Sequence, residues 1–149
     1  MRRTSLFVGA LLVVCLSLAL AQQNGAKNQD APVTPVPAAD AAKTNPVKPT
    51  AEGLAEAKKL FGYHCAMCHG KDGDGKGDLA EEMKLGLHDW RDASSIAKMT
   101  DGELFYIISN GRGKMIGEGD RTKEEVRWNL VSLVRSFGKK SEEPAKAAK

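Results

Sequence analysis

Residues 65–70, CAMCHG, set two thiols and an imidazole side by side in a chain of 149 residues that has three cysteines and three histidines in all. At helical spacing Cys65, Cys68 and His69 stand at i, i+3 and i+4 and project from one face toward one object. Three chemistries use such a cluster: attachment of a c-type haem, half of a zinc site, and a thioredoxin-like dithiol. Zinc needs a second pair of ligands. The remaining histidines, His64 and His88, are not a spaced pair, and the third cysteine, Cys15, lies in an N-terminal leader. A redox dithiol needs a strand leading into it and gives His69 no reason to follow directly. Haem attachment uses all three residues, because the C-x-x-C-H order bonds two thiols to the haem edge and sets the histidine against the iron.

Iron held by one histidine has a sixth position, and its occupant separates a carrier from a catalyst. The candidates are Met67, Met83, Met99, Met115 and His88. Met67 lies between the cysteines, on the wrong side of a ring. Met99 directly precedes a helix cap, a position typical of a hydrophobic staple. Met83 and His88 fall in a connecting segment, and spacing leaves them open. Met115 sits in NGRGKMIGEGD, a glycine-laden loop suited to a side chain that must approach a flat ring from its far side.

The elements that would position these residues read as helices. Leu54, Ala57 and Phe61 form an apolar stripe at i, i+3 and i+7 on a helix running into the cysteines. Thr100-Asp101-Gly102-Glu103 is a capping-box pattern opening a second helix with Leu104, Ile107 and Ile108 inward, closed by Asn110-Gly111. Thr122 to Glu125 repeats the pattern before a third helix, which presents Val126, Leu130, Val131, Val134 and Phe137 ahead of Gly138. No segment alternates as a strand does, so the fold class is expected to be all-α.

Residues 1–21, MRRTSLFVGALLVVCLSLALA, have a basic start, an apolar run and an A-x-A ending, the layout of a secretory signal peptide. The apolar run is short of the roughly 20 residues of a spanning helix, so cleavage is expected, with a membrane tether the outcome if the signal stays. Cleavage removes Arg2, Arg3 and Cys15. The basic total falls from 22 to 20 against 19 acids, which takes away the compositional case for a nucleic-acid partner. Export also puts the two remaining thiols in an oxidising compartment, where they are bridged or occupied. Residues 22–50 hold five prolines, many alanines and no aromatic residue, and read as a disordered linker. Residues 139–149 read as a charged, disordered tail. The globular domain is then 51–138, a size that benefits from a central cofactor as a staple.

Other features take plainer readings. KDGDGKGD fails as a calcium loop, with Lys76 fifth and Met83 twelfth, and fails as a P-loop, with Gly77 where Ser or Thr is needed. Trp90 and Trp128 are expected to pack in the core or at its rim, with an indole N–H or Arg91 within reach of a haem propionate. His64 is expected to face solvent. Lys98, Arg112, Lys114 and Arg121 are scattered surface charge or the fringe of a docking surface.

The chain resembles a class I cytochrome c, a monohaem c-type cytochrome domain. AKKLFGYHCAMCHGKDGDGKG is similar to that family's first helix, haem site and glycine-rich loop. ELFYIISNGRGKMIGEGDRTKEEVRWNLVSLVRSF is similar to its ligand loop and final helix. The resemblance implies three to five helices around one covalently attached haem c, with Cys65 and Cys68 as attachment residues, His69 as proximal iron ligand and Met115 as distal ligand. It also implies that the first and last helices cross, with Gly53 or Ala57 and Phe61 near Leu130 and Leu133. Ile116 stands where the family commonly has proline. Leu133 stands where an aromatic is common, so the crossing is expected to lean on Trp128 and Phe61. The expected function is one-electron transfer between redox protein partners in the periplasm or another extracytoplasmic space, without catalysis. The alternative is a haem-bearing electron-entry subunit of a periplasmic oxidoreductase, or a small-ligand-binding or peroxidatic site within one.

Overall fold

A computed structural model describes residues 35–146; the expected signal peptide and most of the expected linker lie outside them. The described residues form an all-α fold of three long helices and three short ones. The long helices are α2 (Ala51–His64), α5 (Asp101–Asn110) and α6 (Glu124–Lys146). The short ones are α1 (Ala38–Ala41), α3 (Ala66–His69) and α4 (Asp78–Glu82), joined by a 3-10 turn at Ala93–Ile96.

Helix α2 starts where the Thr50 hydroxyl accepts from the Gly53 amide at 3.0 Å, satisfying a free backbone donor. Its stripe buries Ala57 and Phe61, and its last residue, His64, directly precedes Cys65. Helix α5 opens with the full capping box: Thr100 Oγ1 accepts from the Glu103 amide at 3.0 Å, and Glu103 Oε2 accepts from the Thr100 amide at 2.6 Å.

The core forms where α2 crosses α6. Ala57, Phe61, Leu130, Leu133 and Phe137 share one buried cluster with Leu104 and Ile108 of α5, and the Phe61 and Phe137 rings are 5.3 Å apart. Gly53 lies at the same crossing, where a Cβ would come within 2.7 Å of Asn129 Nδ2. Trp128 is buried in the same cluster. Its ring also stacks on Phe105 of α5, with centroids 3.9 Å apart.

Residues 35–50 depart from the expected disordered linker, because their polar groups find partners on the domain. Asn45 Nδ2 donates to Trp128 O and Ser132 Oγ, both at 3.1 Å, and Asn45 Oδ1 accepts from the Val47 amide at 2.9 Å. Thr100 Oγ1 donates to Ala41 O at 2.6 Å, and Val47 packs on the core. Gly102 makes the close approach feasible: a Cβ there would strike Asp40 O and stand 2.8 Å from Lys43 O. This strap extends the folded unit back to residue 35.

At the other end α6 does not stop at Gly138 but runs to Lys146, so helix covers most of the expected tail. Its start also differs from the expected capping box. The helix begins at Glu124, and the Thr122 hydroxyl donates instead to Glu118 Oε2 at 3.1 Å. One small sheet was missed: β1 (Gly111–Arg112) pairs antiparallel with β2 (Met115–Ile116), with Gly111 opposite Ile116 and Arg112 opposite Met115. Among the described residues no helix is long and apolar enough to cross a membrane.

Candidate functional site

The C-x-x-C-H residues occupy a single turn. Cys65 ends α2, its amide donating to Phe61 O at 2.9 Å, and the same residue precedes α3, its carbonyl accepting from Cys68 at 3.1 Å and His69 at 2.8 Å. Cys65 and Cys68 are half-buried and not bridged to each other. The following loop folds back on this turn: the Gly75 amide donates to His69 O at 2.9 Å, Gly77 to Cys68 O at 3.1 Å, and Trp90 to Gly73 O at 2.7 Å.

That last bond brings Trp90 onto the histidine. The two rings stack with centroids 4.3 Å apart and 19° between planes, and Trp90 continues to Phe137 at 6.3 Å and Phe61 at 6.4 Å. Burial among these rings holds His69 down to about 4, so the imidazole is neutral and offers a lone pair to a metal. His69 Nδ1 is buried without a hydrogen-bond partner. Burial first, then the charges of Glu118 and Cys68, push the Cys65 thiol up to about 12, with Arg121 opposing. Arg91, expected within reach of a propionate, forks onto Asp89 at 2.9 and 2.7 Å, and that hydrogen-bonded pairing holds the Asp89 carboxyl down to about 2.

The methionines fall into distinct settings. Met67 and Met83 are 55% and 39% exposed, and His88 is exposed. Met99 packs on the core cluster just before α5, where its carbonyl accepts from Arg135 Nη2 at 2.5 Å in a network that also engages Asp101 and Ile96 O. Met115 packs on the same cluster as Cys65, Ala66 and Trp90, while its neighbour Ile116 is 75% exposed. The hairpin produces this alternation. Gly111, at φ 80°, turns the chain out of α5 so closely against Met115 O that a side chain there would collide with it.

His64 was expected to face solvent. Its side chain is 36% exposed, yet Nδ1 lies 3.1 Å from Oε2 of Glu118, a carboxylate only 4% exposed. Neither Glu118 nor the Trp90–His69 stack was anticipated. Trp90 is the only aromatic residue between positions 70 and 100, which is a faint signal; an acid in a glycine-rich loop is none.

Two unbridged thiols and a neutral imidazole on one turn, backed by an aromatic wall, are the donor set that a c-type haem takes. Among the described residues no cluster of three or more His, Cys, Asp or Glu side chains could hold a metal ion by itself. The family model described as Cytochrome c matches residues 54–138. The chain belongs to the cytochrome c family. Cytochromes of this family carry covalently attached haem c, and Cys65 and Cys68 have the spacing of its attachment residues. Among solved structures the chain is similar to the c-type cytochrome KustC0563, at 34% identity over 54% of this chain and 95% of that one, with a TM-score of 0.49. A single-substitution variant of that cytochrome gives 35% identity, 55% and 98% coverage, and a TM-score of 0.49. A chain of the reducing HAO-like protein complex Kustc0457/Kustc0458 of Kuenenia stuttgartiensis shares the fold, at 23% identity over 70% of this chain and 51% of that one, with a TM-score of 0.53. No curated protein matches the chain.

Proposed function

We propose that this cytochrome is an exported one-electron carrier rather than an enzyme. In this reading Cys65 and Cys68 hold the haem, His69 is its proximal ligand and Met115 its distal ligand. The haem, when bound, supplies a reversible Fe(III)/Fe(II) couple. The polypeptide does the rest. His69, kept neutral by burial, would ligate without first losing a proton. Trp90, stacked on its ring, restricts its rotation, and the Phe61, Trp90 and Phe137 wall excludes water from that side. With His69 as one ligand, Met115 as the other would close the iron to small ligands and raise its potential.

The observation that carries the reading is the setting of Met115, half-buried against the cluster that also receives Cys65, at the inward position of a strand whose next residue is exposed. Redox partners would exchange electrons at the haem edge near the attachment cysteines through small, brief contacts. The second reading, an electron-entry subunit or ligand-binding site in a periplasmic oxidoreductase, draws on the fold neighbour that sits in a multi-protein complex.

Optical spectra of the purified, haem-loaded protein separate the two. A carrier shows the weak far-red band that thioether ligation gives ferric haem, and its ferrous spectrum ignores carbon monoxide. Ready binding of the gas would sink the closed-carrier reading. Export to the periplasm is checked by N-terminal sequencing of the mature chain, which should begin at Gln22.

A further inference from the structure

Glu118 is a buried carboxylate for which the haem-binding residues have no direct use. Leaving such a group out of water is costly unless partners offset it. The partners are present and come from separate parts of the chain. His64 Nδ1, at the end of α2, is 3.1 Å from Oε2; Arg121 Nη2 donates to Oε1 at 2.7 Å; Thr122 Oγ1 donates to Oε2 at 3.1 Å. The Glu118 amide donates to Ile108 O in the last full turn of α5 at 2.8 Å, and its carbonyl accepts from Arg121 and Thr122 at 3.2 and 3.0 Å. One residue thus ties the ends of α2 and α5 to the approach of α6. It also stands close enough to Cys65 for its charge to act on that thiol.

Its place in the sequence gives this knot a purpose. Glu118 follows Met115 by three residues, and the hairpin that carries Met115 has only two residues in each strand. Two-stranded ribbons are marginal on their own even when longer, so the hairpin does not fix the direction of its own side chains. The first side chain held after Met115 is that of Glu118, and what Glu118 grips is the residue preceding Cys65.

We propose that Glu118 is a positioning residue, which through His64 holds the Met115 loop in register with the haem-attachment turn. The proposal rests on Met115 as distal ligand. Haem-loaded wild type, Met115→Ala, Glu118→Ala, Glu118→Gln and His64→Gln proteins are compared by the far-red band, by the ferrous spectrum under carbon monoxide, and by far-UV circular dichroism on heating. Met115→Ala should abolish the band. Glu118→Ala should lose more than half of it and bind carbon monoxide at temperatures where the helical signal is still full. His64→Gln, which removes one contact and keeps the remainder, should lose the band on heating well before the helices melt, and Glu118→Gln should fall between these two. If Glu118→Ala does not fold, His64→Gln and Glu118→Gln decide the matter. A band that persists in those variants until global unfolding, as in wild type, makes Glu118 a stabilising residue only and overturns the proposal. A Met115→Ala protein that keeps the wild-type band refutes the ligand assignment itself, and the positioning role with it.

Discussion

Gly102→Ala tests whether residues 35–50 belong to the domain, because its effect should reverse sign with the length of the chain. In the full-length protein the new methyl group meets the carbonyl oxygens of Asp40, Lys43 and Ala41, the last two at 2.8 and 2.9 Å. Backbone atoms cannot rotate away as a side chain can, so α1 must lift. Overpacking of this kind costs about 1–3 kcal/mol, and lifting α1 also strips the Thr100 hydroxyl of Ala41 O, worth about 1 kcal/mol. A loss of about 2–4 kcal/mol is expected, or roughly 8–16 °C in melting temperature at about 4 °C per kcal/mol for a domain of this size. In a chain that starts at Ala51 the obstacle is gone. The same substitution then replaces glycine by alanine in the first turn of α5, which favours the helix by up to about 1 kcal/mol. Thermal and guanidinium unfolding of the four haem-loaded proteins, followed by far-UV circular dichroism, gives both numbers. Equal effects in the long and short chains would refute the argument, since the strap would then exert no force on Gly102.

Asn45→Ala should cost about 2 kcal/mol in guanidinium unfolding of the full chain, since it removes the two half-buried hydrogen bonds that fasten the strap to α6 and a third, to the Val47 amide, within the strap. Phe137→Ala opens a cavity between Phe61 and Trp90 and should lower stability by about 3–5 kcal/mol, read from the unfolding midpoint. Gly111→Ala forces a side chain into φ 80° and against Met115 O; backbone strain of this kind is worth about 1–3 kcal/mol, and the far-red band should weaken with it. Cys65→Ser and Cys68→Ser should each leave haem held by a single thioether, detected as a shifted pyridine-haemochrome band, while the double substitution should give protein from which acidified acetone extracts the haem.

The parts of the fold that were legible in the sequence are those written in local periodicity. The Leu54, Ala57 and Phe61 stripe, the Thr100 capping box and the apolar face of α6 depend on neighbours within one or two turns, so spacing alone exposes them. The C-x-x-C-H turn is equally local. What was not legible depends on partners distant in the chain. Residues 35–50 look like a linker because proline and alanine bury little, yet Asn45 holds them through groups on Trp128 and Ser132. His64 and Glu118 are 54 positions apart, and no periodicity announces their contact. Thr122 has the composition of a helix cap, but a buried carboxylate competes for its hydroxyl and wins. Trp128 could have met either helix beside α6, and its stack on Phe105 was decided by tertiary packing.

The crossing of α2 and α6 has a consequence for the order in which the protein can be made. Five of the nine residues of the buried cluster, Trp128, Leu130, Val131, Leu133 and Phe137, belong to the last helix. Until that helix leaves the ribosome the earlier residues have little to fold against, and a chain ending at Arg121 should remain open to proteases. Closing a core between distant ends is slow. A polypeptide built this way should stay open through most of its synthesis, and the thiols of Cys65 and Cys68 should stay accessible with it.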